Sequence, residues 1–517
     1  MARLSTPTPA ADLTTAAAPK GAPASGLIGW IENQPRTAFG AFLALHFIVW
    51  TALPALLYAN LPLDLIEALT YGREWQIGYD KLPPLPWWLV EIMYRLFGTD
   101  ATYYALAQAA VIVAFALVWS TARPLVGSTG ALVAVLIIDG MHYFQYTAGK
   151  FNHDVVQLPF WALAGYAFHA ALKRRRLGHW LLLGLAIGGG LWAKYFIVLL
   201  VLTYTLFLLF DRDARRALAT PGPYLALVVA LIVIGPNLVW LFQTDFLPLA
   251  YGQARASPVR GWFDHFLHPA NFAASQVFFA LPSLFIGASL LWPRALSRSE
   301  TAADSFDYRI VTAIAFGPGI VMIALTALSG RGTVSMWGYP LWLFLGLWIV
   351  MVIRAVLDTD RMKRVVAAWA FVFATFAAAF IVNYSVLPSV DHRYRAVFYP
   401  GDRLAAELTQ RFHAATGQKL SYVIGSMWDG GNLAHYSPDQ PQVLIDGLPR
   451  RAPWIDLNDL RAKGAMVVWT GSDVAHLPPQ FSAVASSAEV GTSFTLPPRR
   501  GDSILQVGWA ILMPKPD

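Results

Sequence analysis

The sequence alternates between long apolar segments and short polar ones, and this pattern restricts the chain to one class of fold. About eleven segments approach the roughly 20 residues that an α-helix needs to cross a bilayer. They lie near residues 37–58, 103–122, 129–147, 155–172, 178–193, 195–210, 222–243, 270–292, 309–328, 336–353 and 365–386. With 56% hydrophobic and 13% charged residues, the chain does not have the composition of a soluble protein. We therefore predict a polytopic α-helical membrane protein.

Two regions flank the apolar part of the sequence, which covers residues 37–387. Residues 1–36 are rich in Ala, Pro, Thr and Ser and contain no long apolar run, which favours a disordered tail over a cleavable signal peptide. Residues 388–517 have a different character. An amphipathic helical pattern covers 401–415, and strand-like runs lie at 420–424, 442–445 and 465–469. A turn-rich joint lies at 429–432. This second region is predicted to be a small α/β domain.

Basic residues fall on alternate loops between the apolar segments, at Arg123, Lys173–Arg176, Arg212–Arg216, Arg294–Arg298 and Arg354–Arg364. Short loops rich in Lys and Arg stay in the cytoplasm, so the tail is expected inside. An odd number of spans then places residues 60–89, three later loops and the C-terminal domain outside, in the periplasm of a bacterium. The same rule explains the net charge of +7 without a nucleic-acid partner.

The polar stretch at residues 60–89 follows the first apolar segment and contains four acidic residues, Asp64, Glu67, Glu74 and Asp80. If residues 64–75 are helical, one face carries Asp64, Glu67, Tyr71 and Glu74, and another carries Leu65, Ile66 and Leu69. This pattern predicts a short amphipathic helix at the membrane surface. A loop with solvated charges is the alternative. A second interfacial helix is expected near residues 86–97.

A second polar group begins at Lys150 and continues through Asn152, His153 and Asp154 at the outer boundary of the fourth segment. These side chains place charge, donors and acceptors at the depth of a lipid headgroup, and we regard them as candidate substrate-binding residues together with Glu67. Asp154 also precedes an apolar run, where it is suited to cap a helix. The two roles are compatible.

Three cations lie at the predicted outer boundary, where the inside preference of basic residues is not obeyed. Lys194 ends the fifth segment, Arg331 lies in an outer loop, and Lys81 lies in the polar stretch. Such a lysine either extends to the interface or meets an anion. Together these side chains are suited to hold a phosphate.

Two further features have more than one interpretation. His265 and His268 are spaced for a shared metal on a helix, but ordinary interfacial histidines have the same spacing. Asp139 lies inside the third apolar segment, where an ionisable group is costly unless it faces a cavity or a partner.

Several of these motifs together resemble the GT-C superfamily of membrane glycosyltransferases. The similarity is to the bacterial branch of protein O-mannosyltransferases and lipid A aminoarabinose transferases, and it covers roughly residues 37–350. It rests on Asp64 with Glu67, Gly78–Leu85, Lys150–Asp154 with Phe160 and Trp161, Lys194 with Tyr195, and Trp337 with Pro340 after Arg331.

The resemblance implies transfer of a monosaccharide from a polyprenyl-phosphate donor to a hydroxyl of a lipid, glycan or protein. It implies that Asp64 is the general base and Asp154 a supporting carboxylate. It also implies that Lys81, Lys194 and Arg331 offset the charge of the departing phosphate. A divalent metal held by Asp80 and His265 is a further alternative. The resemblance does not support it directly, because Leu82 separates the Asp80–Lys81 pair from the proline, whereas in the aminoarabinose transferases such a pair lies next to it.

Two other functions compete with glycosyl transfer. A transporter or flippase for a lipid-linked saccharide also needs a polytopic bundle, but its binding groups usually lie near the midplane in repeated halves. This sequence has no visible repeat, and its charges gather at one boundary. A scaffold whose exported domain binds a polysaccharide or protein through Trp428, Asp429 and Trp454 is the third alternative.

Overall fold

A computed structural model describes residues 26–292, 303–391, 393–500 and 504–515. A bundle of helices forms the first part of the chain, and a mixed sheet with its own helices forms the last. The helices of the first part are α1 Gly26–Asn33, α2 Pro35–Leu57, α3 Leu63–Gly72, α4 Leu85–Phe97, α5 Asp100–Asp139, α6 His153–Arg174, α7 Leu177–Ala193, α8 Val198–Phe210, α9 Gly222–Gln243, α10 Leu247–Arg255, α11 Asp264–Ala288, α12 Ser305–Ser329, α13 Leu345–Ile353 and α14 Thr359–Ile381.

The membrane-spanning character predicted from the sequence is confirmed. Seven helices of the described residues are long and apolar enough to cross a membrane, and shorter apolar helices lie at Leu177–Ala193 and Tyr195–Phe210. Each predicted segment overlaps a helix. The second and third segments are joined in α5, where Gly127 adopts φ 73° and introduces a kink.

Two predicted segments are only partly helical. The third ends at Asp139, and turns follow it. The tenth is helical only in α13, and a short turn at Ser335–Gly338 replaces its beginning. These two irregular stretches contact each other, since the Tyr143 hydroxyl donates to the Ser335 carbonyl over 2.6 Å. Polar contacts between neighbouring turns here replace the hydrogen bonds of a continuous helix.

The C-terminal part of the tail that was predicted to be disordered is helical. Residues 1–25 lie outside the described residues, but α1 packs against α2 and α14. Ile31 is buried in that contact. The prediction of disorder is therefore wrong for residues 26–33, because apolar residues of this segment pack against the bundle. Arg294 and Arg298 also lie outside the described residues.

The two interfacial helices predicted before the second span are present as α3 and α4, and they pack against each other. The apolar face of α3 is not turned toward lipid as expected. Leu65 and Ile66 are fully buried, because α3 packs against a helix of the C-terminal region as well as against α4. Protein therefore covers the face that the sequence assigned to the membrane surface.

The C-terminal region folds as the predicted mixture of helices and strands. Its strands are β1 Tyr422–Gly425, β2 Gln442–Ile445, β3 Ala465–Thr470, β4 Glu489–Val490, β5 Phe494–Leu496 and β6 Leu505–Leu512, and its helices are α15 Gly401–Thr416, α16 Met427–Tyr436, α17 Leu457–Lys463 and α18 Ser482–Ala485. The sheet order is β2-β1-β3-β6-β4, with β5 also beside β6. The first three strands are parallel, and β6 runs antiparallel to β3.

The predicted turn at residues 429–432 is wrong, because these residues lie inside α16. Its two glycines serve close packing. A Cβ at Gly431 would lie 2.7 Å from Ile66 Cγ2 and 2.8 Å from Thr70 Oγ1, and one at Gly430 would lie 2.9 Å from Val443 Cγ1. Helix α16 thus fits between the sheet and α3, which joins the C-terminal region to the bundle.

Candidate functional site

A cavity of about 300 Å³ lies where α3, the start of α6 and the end of α7 meet. Helix α10 and the turn before α13 complete its wall. Acidic, basic, amide and aromatic side chains line it, among them Asp64, Glu67, Lys81, Trp87, Asn152, His153, Asp154, Lys194, Tyr195, Tyr251, Arg255 and Trp337. Most of the residues singled out in the sequence therefore meet around one space.

Asp64 lies in the first turn of α3 and is fixed from α6. The Asn152 side-chain amide donates from Nδ2 to Asp64 Oδ2 over 3.1 Å. The Oδ1 of the same amide accepts from the backbone N–H groups of Asp154 and Val155, so Asn152 caps α6. These two roles set the orientation of the amide. In the described ranges no other hydrogen bond to the Asp64 carboxylate is present.

The structure therefore corrects the alternative in which Asp154 caps α6. Asp154 lies two residues later, within the first turn of α6, where its Oδ1 accepts from Lys194 Nζ over 2.5 Å and from Gln157 Nε2 over 3.0 Å. Helix α7 ends at Ala193, and Lys194 follows in an extended conformation with its side chain nearly buried. The lysine thus meets an anion within the protein instead of extending toward the interface.

Glu67 lies one turn after Asp64 and forms an ion pair with Lys81. Burial raises the pKa of Glu67, and the positive charge of Lys81 opposes that rise. Burial would lower the pKa of Lys81, but the Glu67 carboxylate reverses this, and the lysine stays charged. The Lys81 ammonium also lies 5.0 Å from the ring centroid of Tyr251 in α10.

His153 fixes the segment that follows Lys81. Its Nε2 lies 2.9 Å from the carbonyl oxygen of Pro83, which requires the tautomer with a proton on Nε2. The same ring packs edge-on against Trp87 at 4.9 Å between centroids. His153 is thus a contact between α6 and the chain entering α4, and it lines the cavity through its buried ring.

Arg331 and Lys150 do not line the cavity. Arg331 Nη2 donates instead to the Gln253 carbonyl over 2.7 Å, next to the end of α10. The cation that reaches the cavity from this side is Arg255, which was not among the residues selected from the sequence. Because both arginines come from loops at the same boundary, no sequence signal separates them.

Asp80 and His265, the residues considered for a metal, have separate protein partners. Asp80 accepts from the Tyr71 hydroxyl and from Arg451 Nε, each over 2.8 Å. His265 Nδ1 lies 2.6 Å from the Ala327 carbonyl oxygen. Among the residues that the structure describes, no group of three or more His, Cys, Asp or Glu side chains is suited to hold a metal ion.

Asp139 has the partner that its position in an apolar segment requires. His46 Nδ1 lies 2.8 Å from Asp139 Oδ1, and Trp369 and Gln145 donate to Oδ2 over 2.7 Å and 3.0 Å. His46 was not predicted from the sequence. This fully buried group joins α2, α5 and α14 and does not contribute to the cavity lining.

Comparison with known protein families and sequences places the chain among glycosyltransferases. Residues 81–240 match the family described as dolichyl-phosphate-mannose-protein mannosyltransferase. The lipopolysaccharide core galacturonosyltransferase RgtA of Rhizobium johnstonii is 26% identical over 94% of this chain and 99% of its own length. The lipid A galacturonosyltransferase RgtD of the same organism is 29% identical over 41% of this chain and 45% of its own length.

Comparison with solved structures identifies the fold. ArnT from Cupriavidus metallidurans bound to undecaprenyl phosphate superposes with a TM-score of 0.63, covering 95% of this chain and 100% of that chain at 13% identity. Its apo form gives a TM-score of 0.60 at the same identity, covering 93% of this chain and 100% of that chain. The apolar helices, the sequence relatives and this shared fold agree. We conclude that the chain is a multi-pass membrane glycosyltransferase that shares the fold of ArnT.

Proposed function

We propose that the protein transfers a monosaccharide from a polyprenyl-phosphate donor to an acceptor hydroxyl at the periplasmic face of a bacterial inner membrane. The observation that carries the proposal is the convergence of Asp64 and Asp154 with Lys81, Lys194 and Arg255 around one cavity. A base for the hydroxyl and cations for a phosphate leaving group are the two requirements of this reaction.

In the proposed reaction Asp64 accepts the proton of the acceptor hydroxyl. The hydroxyl oxygen forms a bond to the anomeric carbon, and the bond between that carbon and the phosphate oxygen breaks with inversion. The electron pair of the broken bond leaves with polyprenyl phosphate. Asn152 holds one oxygen of Asp64, which leaves the other available for the proton. Asp154 supports the site by holding Lys194 in the cavity.

The leaving phosphate gains negative charge, so it requires cations more than an acid. Lys81 and Lys194 are paired with Glu67 and Asp154, and these pairs hold both ammonium groups at the cavity before the donor binds. Arg255 adds a third cation from α10. Preplaced charges of this kind stabilise the developing charge without rearrangement during the reaction. Arg331 is then a residue that supports α10 and not a phosphate ligand.

For the donor sugar we propose a uronic acid, and for the acceptor a lipopolysaccharide. RgtA, RgtB and RgtD are galacturonosyltransferases that modify lipopolysaccharide core or lipid A, and RgtA aligns over nearly the whole chain. Three cations line the cavity, and of these only Lys81 and Lys194 have carboxylate partners in the described residues. One of the three is therefore available for the carboxylate of the sugar.

Purified protein incubated with labelled polyprenyl-phosphate sugars and lipopolysaccharide tests the proposal. We expect transfer of the galacturonic acid label by the wild type. Asp64→Asn, which keeps the size of the side chain, is expected to lower the rate by about a thousandfold. Asp360→Asn is the matched control, because Asp360 is exposed at the other end of the bundle. Unchanged turnover of Asp64→Asn would remove the base assignment.

The competing transport function is tested with the same labelled lipids after the protein is reconstituted in vesicles. A flippase moves the labelled lipid between leaflets of a vesicle and forms no glycosidic product. Movement without transfer, in the presence of every acceptor supplied, would favour that alternative.

A further inference from the structure

The C-terminal region contacts the segment that carries Lys81, and Arg451 makes the central contact. Arg451 follows β2 and directs its guanidinium toward the bundle. Its Nε donates to Asp80 Oδ2 over 2.8 Å, and its Nη2 donates to the Tyr71 hydroxyl over 3.3 Å. Its Nη1 pairs with Asp446 within the C-terminal region. One side chain thus joins the C-terminal region to Tyr71 in α3 and to Asp80, which directly precedes Lys81.

Arg451, Asp80 and Tyr71 form a closed ring of hydrogen bonds. The Tyr71 hydroxyl donates to Asp80 Oδ1 over 2.8 Å while Arg451 donates to Oδ2, so both oxygens of Asp80 are bound. Tyr71 is fully buried and stacks on Trp87 with 4.3 Å between ring centroids. Trp454 packs edge-on against Tyr71, adding an aromatic contact from the same region.

Lys81 lies between two fixed points of this segment. Asp80, directly before it, is held by Arg451 and Tyr71, and Pro83, two residues after it, is held by His153. A long flexible lysine loses its position easily when its backbone can move, since it is a point charge on a four-carbon stem. Anchors on both sides of the backbone limit that movement.

We propose that Arg451 is a positioning residue that holds Lys81 at the phosphate-binding cavity through Asp80. This inference rests on the phosphate site proposed above. It assigns the C-terminal region a defined part in donor binding: the region supports the segment that carries Lys81, although none of its described residues lines the cavity.

Equilibrium binding of undecaprenyl phosphate to the full-length protein tests the inference. Lys81→Ala should weaken binding by about a hundredfold, and Arg451→Gln by about 10- to 100-fold, the cost of a misplaced binding group. Arg451→Lys should give an intermediate loss, because it keeps the charge and loses the forked contact. Combined with Lys81→Ala, Arg451→Gln should produce no further loss, because it acts through the missing lysine.

Two controls separate positioning from general docking of the C-terminal region. Arg450→Gln removes an exposed arginine next in sequence, and Gln442→Ala removes the contact to Glu74 elsewhere in the interface. Both should bind within about twofold of wild type. Asp80→Asn breaks the same link from the bundle side and should reproduce Arg451→Gln, which keeps the test valid if that variant does not fold.

The outcomes are distinct. Normal binding by Lys81→Ala would overturn the proposed phosphate site. A loss in Lys81→Ala with normal binding in Arg451→Gln and Asp80→Asn would overturn the positioning role alone. Losses that add in the double variant would also overturn it, because the arginine would then act independently of Lys81.

Discussion

Two buried acid–base pairs of the bundle are alike in chemistry and differ in access. Lys194 and Asp154 meet at 2.5 Å with 11% and 12% of their side chains exposed, and His46 and Asp139 meet at 2.8 Å with no exposure. The first pair opens onto the cavity, whereas the second is enclosed among α2, α5 and α14. An ion pair in a membrane protein is therefore not by itself a functional site.

The difference lies in what else can reach the charges. Asp139 accepts from His46, Trp369 and Gln145, so its hydrogen-bonding capacity is used by the protein. Lys194 has three donor hydrogens, and a ligand in the cavity can use those not given to Asp154. The enclosed pair thus contributes stability, and the open pair contributes binding.

The enclosed pair gives the largest expected effect. Asp139→Ala leaves His46 and Trp369 without the buried carboxylate that they contact, while Gln145 keeps the backbone carbonyl of residue 139, so the free energy of unfolding should fall by about 3–5 kcal/mol. Donor affinity of the folded fraction should not change. Thermal unfolding in detergent, with binding measured below the transition, checks both parts. A variant with normal stability and poor binding would break the comparison.

The open pair should behave in the opposite way. Lys194→Ala removes a cation from the proposed phosphate site, and we expect the transfer rate to fall by about a hundredfold. The cavity admits water to the Asp154 left behind, so the loss of stability should be smaller than for Asp139→Ala. Steady-state rates and unfolding curves of the two variants, measured together, decide this.

Arg255 and Arg331 sharpen the comparison on a second pair of like residues. Arg255 lines the cavity, while Arg331 donates to the Gln253 carbonyl. Arg255→Ala should weaken undecaprenyl phosphate binding by about tenfold, the loss of one charge-assisted contact. Arg331→Ala should change it by less than about threefold. A larger loss of binding in Arg331→Ala than in Arg255→Ala would favour Arg331 as the phosphate ligand, as the sequence predicted.

Glu74 lies at the contact with the C-terminal region, and there we expect a smaller effect, in which folding stability depends on pH. Burial raises the pKa of Glu74 from its ordinary value of 4.5 to about 7, and its side chain accepts from Gln442 Nε2 over 2.8 Å. A carboxyl with a raised pKa in the folded state stabilises fully below its unfolded value, and this stability is lost as pH rises through about 7.

We therefore expect the unfolding temperature of the wild type to fall between about pH 4.5 and pH 7, as the Glu74 carboxyl loses its proton in the folded state. Glu74→Gln stays neutral and should remove this part of the pH dependence. Thermal unfolding of both proteins across that range provides the measurement. Parallel pH profiles would contradict the assignment.

The sequence predicted what short spacing and membrane orientation determine. Asp64, Glu67 and Lys81 lie close together in the chain, and Asp154 and Lys194 belong to the boundary assigned to them by the positive-inside rule. Their common cavity follows from those constraints. The choice between Arg255 and Arg331 does not, since it depends on how two loops at one boundary pack.

Contacts across long sequence separations were not predictable. The hydrogen bond from Asn152 to Asp64 depends on the direction of an amide that caps α6. The contact between Arg451 and Asp80 joins residues far apart in the chain. The Gly430–Gly431 pair is typical of a turn, yet it allows close packing of α16 on α3. Tertiary contact decided each case over local preference.

A structure of the protein with undecaprenyl phosphate tests the central claim most directly. We expect phosphate oxygens within hydrogen-bond distance of the Lys81 and Lys194 ammonium groups, with Asp64 facing the acceptor side of the same cavity. A second cavity lies at the other end of α6, lined by His169, Lys173, Arg174 and Asp307. A phosphate bound there, with nothing beside Lys81 and Lys194, would contradict the account.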